Sequence, residues 1–295
     1  MPAPASGDAS PRARLVICRA DSRSLHRRWL GHPDSRSYDV WIDSFEGDPG
    51  RWRGDAARVL AGPAVPKWPA LARLIEEHPG VLARRAVFLP DDDLLMDPGA
   101  VERVFDAHER LGVALAQPAL GGGSHWSFGW TLGCSTTYAR YTNCVEAMAP
   151  VFTGAALRAC LPTFGQVRSA WGLDSVWHQI LGGGHRSLAV VDAVTVIHTR
   201  PVGAGGWKEP RDERLAQKRR MHAAYGVETP LTFRTYAAIP RAAGPDPSCA
   251  VPAGPGLAWL LARGAPPEVR WSRRFWSRQL RTVAAGWVAG RETGR

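Results

Sequence analysis

The stretch VFLPDDDLLMD, residues 87–97, joins a short apolar run to three consecutive aspartates. The run VFL is typical of a strand buried on both faces of a parallel sheet. In open α/β sheets, ligands bind in the crevice beyond the carboxyl ends of the strands. The stretch therefore predicts a buried strand with a charged site at its end. The competing interpretation is a solvated turn before a helix that Asp97 caps.

Strands and helices alternate along the chain on both sides of this stretch. Short apolar runs near residues 15–18 and 40–42 predict two earlier strands, and a long apolar segment predicts a late strand that ends at His198. Apolar residues at helical spacing predict a helix from Lys67 and another that begins near Gly172. This alternation indicates an α/β fold with a mixed, mostly parallel sheet flanked by helices.

Composition divides the chain into four parts. Residues 1–13 are rich in Pro, Ala and Ser and are predicted to be disordered, and residues 14–238 carry the α/β pattern. Residues 239–256 hold five prolines, which predicts a linker. Residues 257–295 form a basic amphipathic segment.

The net charge of +10 belongs to the C-terminal third. Residues 208–295 contain 16 Lys and Arg and 7 Asp and Glu, leaving 21 and 20 for residues 1–207. Trp276, Leu280, Val283 and Trp287 recur at helical spacing among arginines, which indicates a basic amphipathic helix. Residues 269–290 are predicted to contact an anionic membrane surface, with packing on the main domain as the alternative. No nucleic-acid-binding module is recognisable, so a nucleic-acid partner is not expected.

The sequence also suggests a compartment. The N-terminus lacks the apolar core of a signal peptide, and no apolar run approaches the roughly 18 residues of a membrane span. The five cysteines show neither CxxC pairing nor zinc-ligand spacing. We therefore expect a cytoplasmic protein with reduced cysteines, peripheral to the inner face of the membrane if the basic segment binds lipid.

Asp91 and Asp93 are the first candidates for chemistry. Neighbouring carboxylates repel one another, so this pair favours a bound divalent cation. Oxygen donors suit Mg²⁺ or Mn²⁺, and the added imidazole of His198 suits Mn²⁺ in particular. A metal held by these three residues keeps open positions for diphosphate oxygens, whose developing negative charge it neutralises.

Several motifs together resemble a known family. They are KWPALARLI from Lys67, FLPDDDL from Phe88, RYTNCVEAMAPVF from Arg140, AWGLDSVW from Ala170 and AVVDAVTVIHTRPVG from Ala189. In order and type they resemble a GT-A glycosyltransferase, and more narrowly the family catalogued as domain of unknown function (number 707), over roughly residues 12–225.

The resemblance implies roles for individual residues. Asp91 and Asp93 fall on the DxD positions, so Asp93 is expected to bind the metal and Asp91 the ribose or a metal-bound water. His198 matches the third metal ligand. Asp174 matches the acidic position that binds or deprotonates the acceptor hydroxyl, as a carboxylate within hydrogen-bond reach can do.

Further residues are assigned by position and type. Donor binding is predicted for Arg19, Asp21 and Lys67, beside Asp91. Acceptor binding is predicted for Trp126 and Trp130, as stacking rings in a glycine-rich segment, and for Arg140, Tyr141 and Asn143, as polar partners of hydroxyls.

Three functions fit these residues. The first is a metal-dependent glycosyltransferase that moves a sugar from a nucleotide diphosphate to a glycan or lipid-linked acceptor. The second is a metal-dependent phosphoesterase or nuclease that uses the same carboxylates. The third is a catalytically silent carbohydrate-binding protein with the same fold.

Overall fold

The computed structural model describes residues 11–201, 209–266 and 273–292. The predicted disordered segment therefore lies mostly outside the described residues. The strands are β1 (Arg14–Ala20), β2 (Tyr38–Ser44), β3 (Arg58–Ala61), β4 (Ala86–Phe88), β5 (Leu94–Leu95), β6 (Leu115–Leu120), β7 (Thr137–Thr142), β8 (Val151–Thr153), β9 (Leu188–His198), β10 (Thr235–Pro240) and β11 (Val251–Pro252). The helices are α1 (Lys67–Glu77), α2 (Ala100–Leu111), α3 (Gly154–Phe164), α4 (Leu173–Ile180), α5 (Arg211–Ala224), α6 (Pro255–Gly264) and α7 (Arg273–Glu292).

One mixed sheet runs through the described part of the chain. Its strand order is β11-β10-β7-β9-β6-β8-β4-β1-β2-β3, and the short β5 pairs with β9. Strands β3, β2, β1 and β4 are mutually parallel, and β8 reverses direction between β4 and β6. Strand β9 runs parallel to β6, so β1, β2, β4, β6 and β9 all end at the same edge of the sheet. The predicted sheet class is confirmed.

Helices cover both faces of the sheet because the central strands are buried on both sides. Along β1, Val16 belongs to the core cluster that includes residues of α2, whereas Leu15 belongs to the cluster that includes residues of α1, α3 and α4. Adjacent residues of a strand point to opposite faces, and both of these are fully buried. The apolar run of β1 is thereby explained.

The helix after the aspartates differs from the prediction at its start. Helix α2 has Gly99 as its N-cap, with a φ of 79°, and no side chain caps it. Asp97 contributes its backbone carbonyl to Ala100, so the predicted side-chain cap is wrong. The helix ends at Gly112, whose φ of 62° suits a residue without a Cβ.

The proline-rich segment 239–256 is not a linker. Its first two residues complete β10, which pairs with β7, and Val251 and Pro252 form β11 on the edge of β10. Two short 3-10 turns connect these strands. Proline is tolerated on an edge strand because one side of that strand needs no donor, which explains why the composition misled the prediction.

The C-terminal helices pack on this same edge of the sheet. On α7, Gln279, Thr282 and Val283 are buried, and a Cβ at Gly286 would lie 2.1 Å from the carbonyl oxygen of Thr235 in β10. Packing on the main domain is therefore the observed role of one face of this helix. Among the described helices, none combines the length and apolarity needed to cross a bilayer.

Candidate active site

A cavity of about 810 Å³ lies where the parallel strands end. It is lined by residues that follow β1, β2, β4 and β9, and by the start of α4. Seven of the predicted site residues line it: Arg19, Asp21, Lys67, Asp91, Asp93, Asp174 and His198. Strand direction thus gathers side chains that are up to 179 positions apart in the sequence, between Arg19 and His198.

Asp91, Asp93 and His198 form one cluster of potential metal ligands. Their ligand atoms all lie within 4.8 Å of one another. The Nδ1 of His198 lies 2.7 Å from the carbonyl oxygen of His125, which fixes the proton on Nδ1 and turns Nε2 toward Asp93, 3.3 Å away. The buried Oδ1 of Asp93 has no hydrogen-bond partner among the described residues. Two carboxylates, one of them with an unpaired buried oxygen, and an imidazole nitrogen turned toward them fit a divalent cation.

The charges of this cluster are strongly coupled. Burial would lower the pKa of His198, but the hydrogen bond and charge of Asp93 raise it to about 9. Burial would raise the pKa of Asp93, but the hydrogen bond and charge of His198 lower it. His198 therefore acts as the counterion of Asp93 in the protein without a metal.

Lys67 holds the other aspartate in position. Its Nζ donates to Asp91 Oδ1 at 2.6 Å and to the carbonyl oxygens of Leu89 and Ala147 at 2.8 and 3.1 Å. Burial raises the pKa of Asp91, and the Lys67 charge opposes that rise. Lys67 was predicted to meet the nucleotide. Its observed partners indicate that it fixes the loop after β4 and orients Asp91.

Arg200 is a cavity residue that the sequence prediction missed. It lies two residues after His198, and its guanidinium is 3.2 Å from Asp92, 3.8 Å from Asp21 and 3.9 Å from Asp93. One guanidinium group thus lies close to three carboxylates, one of which, Asp93, is a potential metal ligand. Its position directly after the end of a long strand was a signal that could have identified it.

Asp174 stands with Glu146, a second carboxylate that the prediction missed. Burial, with the neighbouring charge of Glu146, raises the pKa of Asp174 to about 7. Burial also raises the pKa of Glu146 to about 7, although Thr131 and the backbone N–H of Ser127 donate hydrogen bonds to it. Glu146 lies within the motif RYTNCVEAMAPVF, but no role was assigned to it, because the segment that places it in the cavity is irregular.

The opposite end of the cavity is formed after β1 and β2. Arg19 pairs with Asp43 at 2.6 Å and lies over the ring of Phe45, 4.8 Å from its centroid. Asp21 pairs with Arg23 at 2.8 Å. An exposed ion pair between Arg19 and Asp21, one interpretation of their spacing, is therefore not formed. The resulting surface combines an aromatic ring with fixed polar groups.

The predicted acceptor residues do not line this cavity. Trp126 is partly buried against the core, and Trp130 is buried and stacks on Phe128 with ring centroids 4.6 Å apart. Phe128 does line the cavity, so the ring of Trp130 supports its wall from behind. The tryptophans were predicted as stacking platforms, but of these aromatic residues it is their neighbour Phe128 that lines the cavity.

Three polar residues at the end of β7 were also assigned to the acceptor, Arg140 and Tyr141 within the strand and Asn143 directly after it. Arg140 forms a buried ion pair with Asp192 of β9 at 2.8 Å. Tyr141 is fully buried, and the side chain of Asn143 bonds the backbone of Thr232 and Arg234. The sequence prediction thus assigned a binding role to three residues that serve the structure. The polar motif joins β7 to its neighbours instead of facing a ligand.

Comparison with known proteins places the fold in a class. GalNAc-T7, solved with UDP, GalNAc and Mn²⁺, is similar with a TM-score of 0.51 and 11% identity over 73% of this chain and 48% of that one. The chain thus spans about half the length of that protein. S. aureus TarS with UDP-GlcNAc has a TM-score of 0.47 and 9% identity, over 73% of this chain and 68% of that one. Glucosyl-3-phosphoglycerate synthase from Mycobacterium tuberculosis, with Mn²⁺, UDP-glucose and phosphoglyceric acid, has a TM-score of 0.43 and 16% identity, over 76% and 86%.

The similarity to GalNAc-T7 shows the fold, which is that of the GT-A glycosyltransferases. No family model matches the chain, and no curated protein matches it. Membership of the family numbered 707 stays a prediction.

Proposed function

We propose that this protein is a metal-dependent glycosyltransferase that uses a nucleotide diphosphate sugar with Mn²⁺ or Mg²⁺. The observation that carries the proposal is the cluster of Asp91, Asp93 and His198 at the carboxyl edge of the sheet, inside a cavity of about 810 Å³. Such a cavity has the size of ordinary small-ligand sites, about 300–1,000 Å³. GalNAc-T7, which shares the fold, was crystallised with UDP and Mn²⁺.

The donor half of the site is proposed to lie between the metal cluster and β2. A metal held by Asp93, His198 and Asp91 would neutralise the negative charge that develops on the departing diphosphate. Phe45 and Arg19 offer a stacking and hydrogen-bonding surface for the nucleoside, in keeping with the predicted role of Arg19. Arg200 and Arg23, which pair with Asp92 and Asp21, are the proposed cationic partners of the phosphates.

The acceptor half is proposed to lie beside Asp174 and Glu146, against the ring of Phe128. A carboxylate with a pKa near 7 is suited to accept a proton at neutral pH, because it is partly ionised and still basic. Asp174 is therefore the proposed base for the acceptor hydroxyl. Hydrogen bonds from Thr131 and Ser127 hold Glu146 in place. Its charge adds to the rise in the pKa of Asp174 that burial causes. The proposed acceptor is a glycan or a lipid-linked sugar.

Thermal unfolding with nucleotides and metal tests this proposal. UDP or GDP with Mn²⁺ is expected to raise the melting temperature, and each nucleotide alone is expected to do so much less. Asp93→Asn should abolish the metal-dependent part of the shift, because it removes a buried charged ligand. Asp97→Asn is the matched control, since Asp97 is an exposed aspartate four residues away that lies outside the cavity.

A phosphodiester hydrolysis assay, run beside thermal unfolding, separates the two other functional classes. A phosphoesterase or nuclease using these carboxylates would hydrolyse simple phosphodiesters with Mn²⁺. A catalytically silent protein would show neither hydrolysis nor a nucleotide shift. A full nucleotide-dependent shift in Asp93→Asn would contradict the metal role given to this residue.

A further inference from the structure

The exposed large apolar side chains of the described residues are confined to the two C-terminal helices. Trp259 on α6 is 61% exposed, and Leu280, Trp287 and Val288 on α7 are 50%, 41% and 55% exposed. Scattered single exposed apolar residues are normal on protein surfaces, whereas clustered ones mark interaction sites. Leu280 and Trp287 are the part of the predicted amphipathic stripe that packing has left uncovered, and Trp259 and Val288 lie outside that stripe.

The two helices that carry these side chains contact each other. Leu257 and Leu261 of α6 and Val283 of α7 belong to one buried cluster with Ala238 of β10, so both helices pack side by side. At 3.6 residues per turn, Leu280, Trp287 and Val288 fall within about a third of the circumference of α7. They lie away from Gln279, Thr282 and Gly286, which face the sheet. We call these four exposed side chains the C-terminal apolar patch.

Arginines surround the C-terminal apolar patch. The guanidinium of Arg263 lies over the ring of Trp259 at 4.7 Å, and that of Arg291 lies over the ring of Trp287 at 4.5 Å. Arg278 and Arg281 are exposed on α7. In sequence, residues 257–295 contain eight arginines and two glutamates. Tryptophan and arginine together are typical of a protein surface at the membrane interface, where rings enter the headgroup layer and cations stay at its boundary.

We propose that the C-terminal apolar patch docks on an anionic membrane surface. Charge decides between the candidate occupants. A symmetric contact with a second copy would bring the arginines of one subunit against those of the other, which is unfavourable. Nucleic acid would satisfy the arginines but would leave Leu280 and Val288 without an apolar partner. A bilayer with anionic headgroups supplies negative charge and an apolar layer at the same place.

The docking surface is physically linked to the cavity. The side chain of Gln279, on the buried face of α7, donates to the carbonyl oxygen of Gly129 at 3.1 Å. Gly129 follows Phe128 and Ser127, which line the cavity. The docking proposal does not depend on the proposed activity, and it can be tested without a sugar donor.

Cosedimentation of the full chain with vesicles tests the proposal. Vesicles of phosphatidylcholine with phosphatidylglycerol are expected to pellet the protein, and pure phosphatidylcholine vesicles are expected to bind it far more weakly. Leu280→Ser/Trp287→Ser should weaken binding at least about tenfold, because two apolar anchors are lost. Arg281→Gln/Arg291→Gln should weaken it on the order of 25-fold, at about fivefold for each arginine. The matched control is Arg158→Gln on α3. Arg158 is exposed, and its helix packs in a different core cluster from the one that α6 and α7 share.

Several results would overturn the proposal. These are no pelleting of the wild-type chain with anionic vesicles, or pelleting that both double variants retain. Equal binding to neutral vesicles would contradict docking on an anionic surface. Binding that persists in about 1 M salt, where the Debye length is about 3 Å, would contradict it as well, because charge would then contribute nothing to binding. Sedimentation velocity without lipid decides the competing case, since a dimer that Leu280→Ser/Trp287→Ser dissolves would assign the patch to a second copy. Unchanged melting temperatures of the variants verify that they are folded.

Discussion

Asp174 is expected to set the acid limb of the pH dependence of the reaction. A base must be ionised, and burial beside Glu146 raises the pKa of Asp174 to about 7, so kcat/KM should fall as the pH drops below about 7. Asp174→Asn is expected to lower kcat by about 10²–10⁴-fold and to abolish that limb. The nucleotide-dependent thermal shift should survive in this variant. A variant that keeps the wild-type rate and pH profile would exclude Asp174 as the base.

Lys67 is expected to matter for metal affinity although it is not a ligand. Without its ammonium group, Asp91 would face Asp93 uncompensated, and its already raised pKa would rise further, so protons would compete better with the metal. Lys67→Met is expected to weaken Mn²⁺ binding about 10–100-fold, as loss of groups that orient metal ligands commonly does. Titration calorimetry with Mn²⁺ measures this effect. Lys218→Met is the control, because Lys218 lines the cavity outside the metal cluster; equal losses in both variants would contradict a specific role.

At the level of single residues, the sequence predicted the side chains that directly follow strands. Asp91, Asp93 and His198 could be placed together because parallel strands end at one edge, whatever their separation along the chain. Glu146 could not, because its position depends on irregular segments held by long-range hydrogen bonds. Arg140 was assigned wrongly because sequence cannot show that its partner, Asp192, lies on the neighbouring strand.

The packing of α7 on β10 depends on one glycine of the two near its end. A Cβ at Gly286 would lie 2.1 Å from the carbonyl oxygen of Thr235, whereas a Cβ at Gly290 would meet nothing within 4 Å. Gly286→Ala is expected to lower the melting temperature, because backbone atoms must move apart. Gly290→Ala is expected to stabilise the helix by about 0.5–1 kcal/mol, since alanine is the better helix former. Thermal unfolding of both variants measures the pair, and equal effects would show that α7 does not pack as described.

Elements with a regular apolar pattern were predicted from the sequence. Elements that form only by pairing at the edge of the sheet were not. Helices α1 and α4 and strand β9 follow from their periodicity alone. The segment containing β11 was predicted as a linker because five prolines argue against regular structure. Val251 and Pro252 form a strand because they pair with β10. That pairing depends on the tertiary structure and cannot be seen in the local sequence. The C-terminal helix was predicted correctly as amphipathic, but its stripe is divided between the sheet and the solvent.

For the whole molecule, two carboxylates of the cavity, Glu146 and Asp174, make a contribution to stability that falls as the pH rises. A carboxyl group whose pKa is raised by folding binds protons more tightly in the folded state. Its stabilising contribution is therefore complete below its unfolded pKa and is lost as the pH rises through its folded pKa. Glu146 and Asp174 are both raised to about 7. In the metal-free protein, these two groups are expected to lower the free energy of unfolding between about pH 4 and pH 7.

Glu146→Gln tests this dependence without emptying the cavity. Glutamine keeps an acceptor for Thr131 and Ser127 but cannot ionise, so the variant should be about as stable as the wild type near pH 4. Above pH 7 it should be more stable, by at most about 3 kcal/mol for a pKa that moves from 4.5 to about 7. Urea unfolding in EDTA at a series of pH values measures the difference. Parallel curves for the two proteins would show that Glu146 is already ionised at neutral pH. A difference in the free energy of unfolding that grows with pH would mean that the ionised Glu146 carboxylate, buried in the cavity, destabilises the wild-type protein.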